Sequence, residues 1–145
     1  MSMNTIASFE SATADAYQWL NEITSILRDE DRHFALQVLR GVLHALRDRL
    51  TIEQSAHLSA QLPLLIRGIY FENWDPQPLP SRDRTVEDFI DRVRPALTGY
   101  PGAEFIDAVS AVFEVLQRHV SLGEGDKIAT MLPHAISTLW KLSVP

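Results

Sequence analysis

The stretch LPLLIRGIYFENWDP, Leu62 to Pro76, decides how this chain is read. Its Leu-Pro pair returns 70 residues later as Leu132-Pro133, and it ends where the chain turns proline-rich. Sliding the sequence against itself by that offset aligns 15–75 with 85–145 without gaps. Identities fall at Leu27/Leu97, Val42/Val112, Leu46/Leu116, Leu62/Leu132, Pro63/Pro133 and Ile66/Ile136. Apolar character is kept at further pairs such as Trp19/Phe89, Ile23/Val93, Leu39/Val109 and Tyr70/Trp140. Helical phase and end signals stay in register together, which points to a tandem duplication.

Each copy reads as four helices. The first spans about residues 8–28, with Phe9, Ala16, Leu20, Ile23 and Leu27 on one face. Asp29-Glu30-Asp31 ends it and places acids at the start of the next, where they suit the helix dipole. The second helix, about 31–49, carries a core stripe of Ala35, Leu39, Val42, Leu46 and Leu50, and turns Gln37, Arg40, His44 and Arg47 to water. Thr51-Ile52-Glu53-Gln54 has the spacing of a capping box for a short third helix, about 52–60, and Ser121-Leu122-Gly123-Glu124 repeats it in other residues. Pro63 suits the first position of a fourth helix, whose core face is Leu62, Leu65, Ile66, Ile69 and Tyr70.

After the connector DPQPLPSRDR, stiffened by Pro76, Pro78 and Pro80, Thr85 caps a fifth helix over about 86–98, which Pro95 should kink or force to start late. Three more helices follow at about 103–119, 122–130 and 133–142. The expectation is an all-α fold of about eight helices with pseudo-two-fold symmetry: a first repeat over 1–75, a connector over 76–84, and a second repeat over 85–145, which together can form one compact domain.

The segments RLTIEQSAHLSAQLP, LIRGIYFENWDP and TVEDFIDRV, joined by the proline-rich link, resemble the bacterial domain-of-unknown-function family numbered 2267 over about residues 10–140. The second copy departs from the stronger pattern, with Met131 where the first has Gln61 and no counterpart of the Trp74 turn. The resemblance implies an all-helical duplicated fold in bacteria and brings no activity with it.

Composition narrows the function classes. With no Cys, disulfides, thiolate metal sites and cysteine nucleophiles are excluded. No apolar run reaches the length of a membrane span and no secretory pattern opens the chain, so the expected location is the cytoplasm. A formal charge of −6 argues against a general nucleic-acid binder. Glu30 and His33 have the spacing of half a di-iron site, but the equivalent positions are Tyr100 and Ala103, so the duplication does not complete it. No nucleophile elbow or glycine-rich phosphate loop is present. The expectation is a non-enzymatic module without metal or cofactor.

Two surfaces differ between the copies. Arg40, His44 and Arg47 make a basic ridge on the second helix, where the sixth has Ser110, Glu114 and Gln117. This ridge is the candidate anion or nucleic-acid contact, with a pair of drifted solvated faces as the plainer alternative. The fourth helix is apolar nearly all round: Leu64, Gly68 and Phe71 lie away from its core stripe, where the eighth has His134, Thr138 and Lys141. A helix apolar on both sides is normally covered on both sides. Either the other copy or the connector covers this face, or Leu64, Arg67, Gly68, Phe71 and Trp74 form the surface for a protein partner or a second copy in a homodimer. The interaction or regulatory reading leads, and contact with nucleic acid or another anion through the ridge is the alternative.

Overall fold

The computed structural model describes residues 4–145, and among them it has eight α-helices, one 3-10 turn and no strand. The helices are α1 (Ala7–Leu27), α2 (Arg32–Arg47), α3 (Ile52–Ala60), α4 (Leu64–Phe71), α5 (Val86–Val93), α6 (Phe105–His119), α7 (Leu122–Met131) and α8 (His134–Leu142). The turn, Arg94–Leu97, follows α5 directly. Among the described residues no helix is long and apolar enough to cross a membrane.

The boundaries follow from local chemistry. Arg28 adopts the left-handed conformation at φ 54°, which ends α1. Asp31 then starts α2 by accepting from the backbone N–H groups of His33 and Phe34. Thr51 and Gln54 form the reciprocal capping box, at 3.1 and 2.9 Å. Its counterpart before α7 is only half of one. Ser121 Oγ accepts from the Glu124 N–H, but the Ser121 N–H donates to Gln61 Oε1 at 2.7 Å, and Glu124 is buried. A side chain from the end of α3 has replaced the acid that the local pattern proposes.

The prolines act one residue earlier than expected. Pro63 and Pro133 are the N-caps of α4 and α8, and their carbonyls accept from Arg67 and Ser137 at 2.8 Å each. Pro95 does not kink a long helix but cuts it, so that α5 ends at Val93 and the chain tightens into the 3-10 turn. At this break α2 packs tightly through Gly41. A Cβ on Gly41 would lie 2.9 Å from Ala96 Cβ and 3.2 Å from the Val93 carbonyl oxygen, so the glycine here answers to space.

One buried cluster takes residues from both halves, among them Trp19, Ile23, Leu39, Leu46, Phe89, Val93, Phe113 and Leu116. The halves are interleaved, with α1 packed on α6 and α5 packed on α2. A second seam holds α1 to α6: His119 Nε2 lies 2.7 Å from Glu22, Arg118 donates to the same carboxylate at 3.1 Å, and the His119 ring stacks on Trp19 at 4.7 Å. The connector is fastened to the end of α2 by the Ser81 N–H on the Asp48 carbonyl and by Arg92 bridging Asp83 and Asp48.

Two expected core residues are not in the core. Phe9 is 64% exposed and Leu65 44%. Each has the correct helical phase, but Phe9 lies near the N-terminal end of α1 and the Leu65 flank of α4 is left uncovered among the described residues. Ala135, the position matching Leu65, is exposed as well.

Candidate functional site

The basic ridge is a clasp. A helix ends with carbonyls that lack intrahelical donors, and those of α4 are met by α2. His44 Nε2 lies 2.7 Å from the Ile69 oxygen, and Arg47 Nη1 donates at 2.7 Å to both the Tyr70 and the Glu72 oxygens. Arg40 completes it with an ion pair to the Glu72 carboxylate at 2.9 Å and a contact to Gln37. Because a carbonyl only accepts, His44 must hold its proton on Nε2. Burial lowers the His44 pKa below its ordinary value, with the charges of Arg47 and Arg40 acting the same way, against the Ile69 carbonyl and Glu72. The neutral imidazole therefore does the donating near neutral pH.

The expectation that Arg40, His44 and Arg47 form a wet face is corrected by this geometry. They face another helix, and the Arg47 side chain keeps only 9% of its exposure. The second half holds its last helix in the same way with neutral groups. Gln117 Nε2 donates to the Trp140 and Ser143 carbonyls at 2.8 and 2.9 Å, while Ser110 and Ser143 join through their hydroxyls at 2.7 Å. Arg47 and Gln117 are equivalent under the 70-residue offset, as are Tyr70 and Trp140, so one hydrogen bond recurs in both halves with different donors.

With its C-terminal end clasped and Tyr70 buried, its hydroxyl 2.8 Å from Ser55 Oγ, α4 is held in one orientation. Burial pushes the Tyr70 phenol up to about 12. The outer surface of α4 divides. Leu64, Leu65 and Gly68 are exposed, and a Cβ on Gly68 would meet nothing within 4 Å. Gly68 thus answers to no close approach among the described residues. Arg67 is also exposed, but its guanidinium folds back to donate to the Ser59 and Leu62 carbonyls at the end of α3. Phe71 and Trp74 are half-buried, their rings 5.1 Å apart at the turn where Asn73 has φ 51°. The five candidate residues therefore make up an open apolar part, a cap and an aromatic corner.

The sequence reading missed what the open part adjoins. Thr13, Ala16, Tyr17 and Leu20 of α1, Arg32, His33 and Leu36 of α2, and Leu65 and Ile69 of α4 line a groove of about 450 Å³. Its lining is mostly aliphatic, and its one charged side chain is Arg32, at the end where His33 also lies. Arg32 sits 5.0 Å from the centre of the Tyr17 ring and donates to Asn21. Leu65 at core spacing was the signal for it, because it prepares a face that the described residues leave exposed. Glu30 and His33 are both exposed, and among the described residues no three His, Asp or Glu side chains gather in a way that could hold a metal ion.

Comparison with curated proteins returns no match. A family model does match, over residues 16–139, which takes in the α2–α4 clasp, the aromatic corner and all of the groove lining but Thr13. On that extent of agreement the chain belongs to the family described as "Uncharacterized conserved protein (DUF2267)".

Proposed function

We propose that this protein is a non-enzymatic interaction module, a tandem duplication of a four-helix unit in which the first copy has kept α4 open for a protein partner. The observation that carries the reading is the exposure of Leu64 and Leu65, 57% and 44%, beside Gly68 on a helix whose orientation is fixed. Large aliphatic side chains on a rigid helix, next to a groove with a mostly aliphatic lining, offer apolar area without the entropy of ordering a loop. The matching stretch of α8 presents His134 and Ala135 instead, so the second copy does not repeat the surface. The recurrence of the clasp at the 70-residue offset supports the duplication.

A photo-reactive residue placed at position 64 in the full chain tests the proposal. Irradiation in cells is expected to give a discrete covalent adduct that disappears when Leu65→Lys is added, with the melting temperature unchanged because Leu65 bears no core load. A probe at Leu122, an isolated residue 88% exposed, serves as the control for random capture. Equal labelling at 64 and 122 defeats the reading, as does unfolding of Leu65→Lys.

A further inference from the structure

The face of α1 that adjoins the groove carries Ile6, Phe9, Glu10, Thr13 and Tyr17 at helical spacing, and the first, second and last of these are 54%, 64% and 47% exposed. Thr13 and Tyr17 line both this face and the groove, so the two surfaces are continuous. Their charges are complementary. The α1 face contributes the carboxylate of Glu10, the groove ends in Arg32 and His33, and among the described residues neither Glu10 nor Arg32 is in an ion pair. We infer that the occupant of the groove is a second copy of this chain: two α1 helices cross antiparallel near Thr13, each copy's Phe9 enters the groove of the other, and each Glu10 meets the other's Arg32.

The register follows from the helix. In an antiparallel pair centred on Thr13, Glu10 of one copy lies opposite the Tyr17 turn of the other, and Arg32 sits over the Tyr17 ring. Thr13 and Ala14 at the crossing are small enough to let the two backbones approach. A two-fold pair makes every such contact twice, as an isologous dimer requires. At roughly 150–250 Å² for a whole large side chain, the exposed parts of Ile6, Phe9, Tyr17, Leu64 and Leu65 offer on the order of 500 Å² per copy. That is below the ~800 Å² per partner of a standard interface, so polar rim must supply the rest and the dimer belongs at the weaker end.

This inference rests on the interaction reading above, and one set of measurements separates the two. Sedimentation velocity on the full chain from about 1 to about 200 micromolar is expected to show a monomer–dimer equilibrium. Phe9→Asp should abolish it, and Glu10→Arg and Arg32→Glu should each weaken it about tenfold or more. The double variant E10R/R32E should come back to within about threefold of the parent, a rescue that a merely structural role for either residue does not produce. These positions are exposed, so an unchanged melting temperature accompanies each result. A chain that stays monomeric throughout, or a dimer indifferent to Phe9→Asp and the charge swap, overturns the second-copy inference. If the adduct formed through position 64 then has a mass other than twice the chain, the interaction reading stands without it; if no adduct forms, both fall.

Discussion

Replacing Arg47 with methionine removes the donor to the Tyr70 and Glu72 carbonyls and keeps most of the aliphatic stem. The two hydrogen bonds, each 2.7 Å, come from a charged group, and such bonds contribute ~1.5–3 kcal/mol each. Two effects offset part of the loss. The guanidinium is desolvated, with burial pulling its pKa down from the ordinary value, and its Nε is buried without a hydrogen-bond partner. The net cost should be about 2–3 kcal/mol, because the orphaned carbonyls at the end of α4 regain water only in part. For a chain of this size that lowers the melting temperature by roughly 4–12 °C. Urea unfolding should show the midpoint falling with an unchanged slope, and amide exchange should quicken first in α4. Arg47→Gln sharpens the test. The second half uses glutamine for this task at the equivalent position, so that variant should recover part of the loss. A cost below about 0.5 kcal/mol for Arg47→Met would falsify the clasp as a stabilising element.

Two other perturbations follow from the geometry. Gly41→Val should destabilise by about 1–3 kcal/mol by overpacking against Ala96 and Val93, and Ala96→Gly should restore part of that; a neutral Gly41→Val in urea melts would show that α2 and the 3-10 turn are farther apart than described. His44 should give stability an acid limb. Its folded pKa lies below the unfolded 6.5, so the unfolded chain takes up the proton first, and the contribution is whole above pH 6.5 and shrinks as pH falls below it towards the folded pKa. Urea midpoints measured from pH 8 to pH 5 should bend downward below that point in the parent and less so in His44→Gln. Asp88, also held low, mainly by the Arg84 and Thr85 backbone and hydroxyl donors, titrates further down and does not overlap this window.

What could be read from the sequence was whatever local chemistry controls. Helical phase placed Leu39, Val42 and Leu46 in the core, and side-chain caps placed the starts of α3 and α5, while Pro95 marked a disturbed helix but not its end at Val93. The misreadings share one cause. Periodicity reports that Phe9 and Leu65 lie on a core-phased face, but whether another helix arrives to cover that face depends on packing across dozens of residues. A polar ridge such as Arg40, His44 and Arg47 has the same pattern whether it meets water or helix-end carbonyls and a carboxylate 23 to 32 residues further on. Gln61 displaced the expected cap partner of Ser121 from 60 residues away. The asymmetry between α4 and α8 was legible because the two halves serve as each other's control.

The interleaving of the halves bears on how the chain reaches this structure. Helical bundles fold fast when neighbours in space are neighbours in sequence, since short loops close at small entropic cost. Here the bonds from Arg118 and His119 to Glu22 span 96 and 97 residues, and α2 meets α5 across the proline connector. Most of the chain must be present before α1 finds its seat on α6. An all-helical protein wired in this way should have the contact order, and the slower folding, more typical of mixed α/β domains. During synthesis its first half would wait with the α1 core face uncovered until the sixth helix had been made.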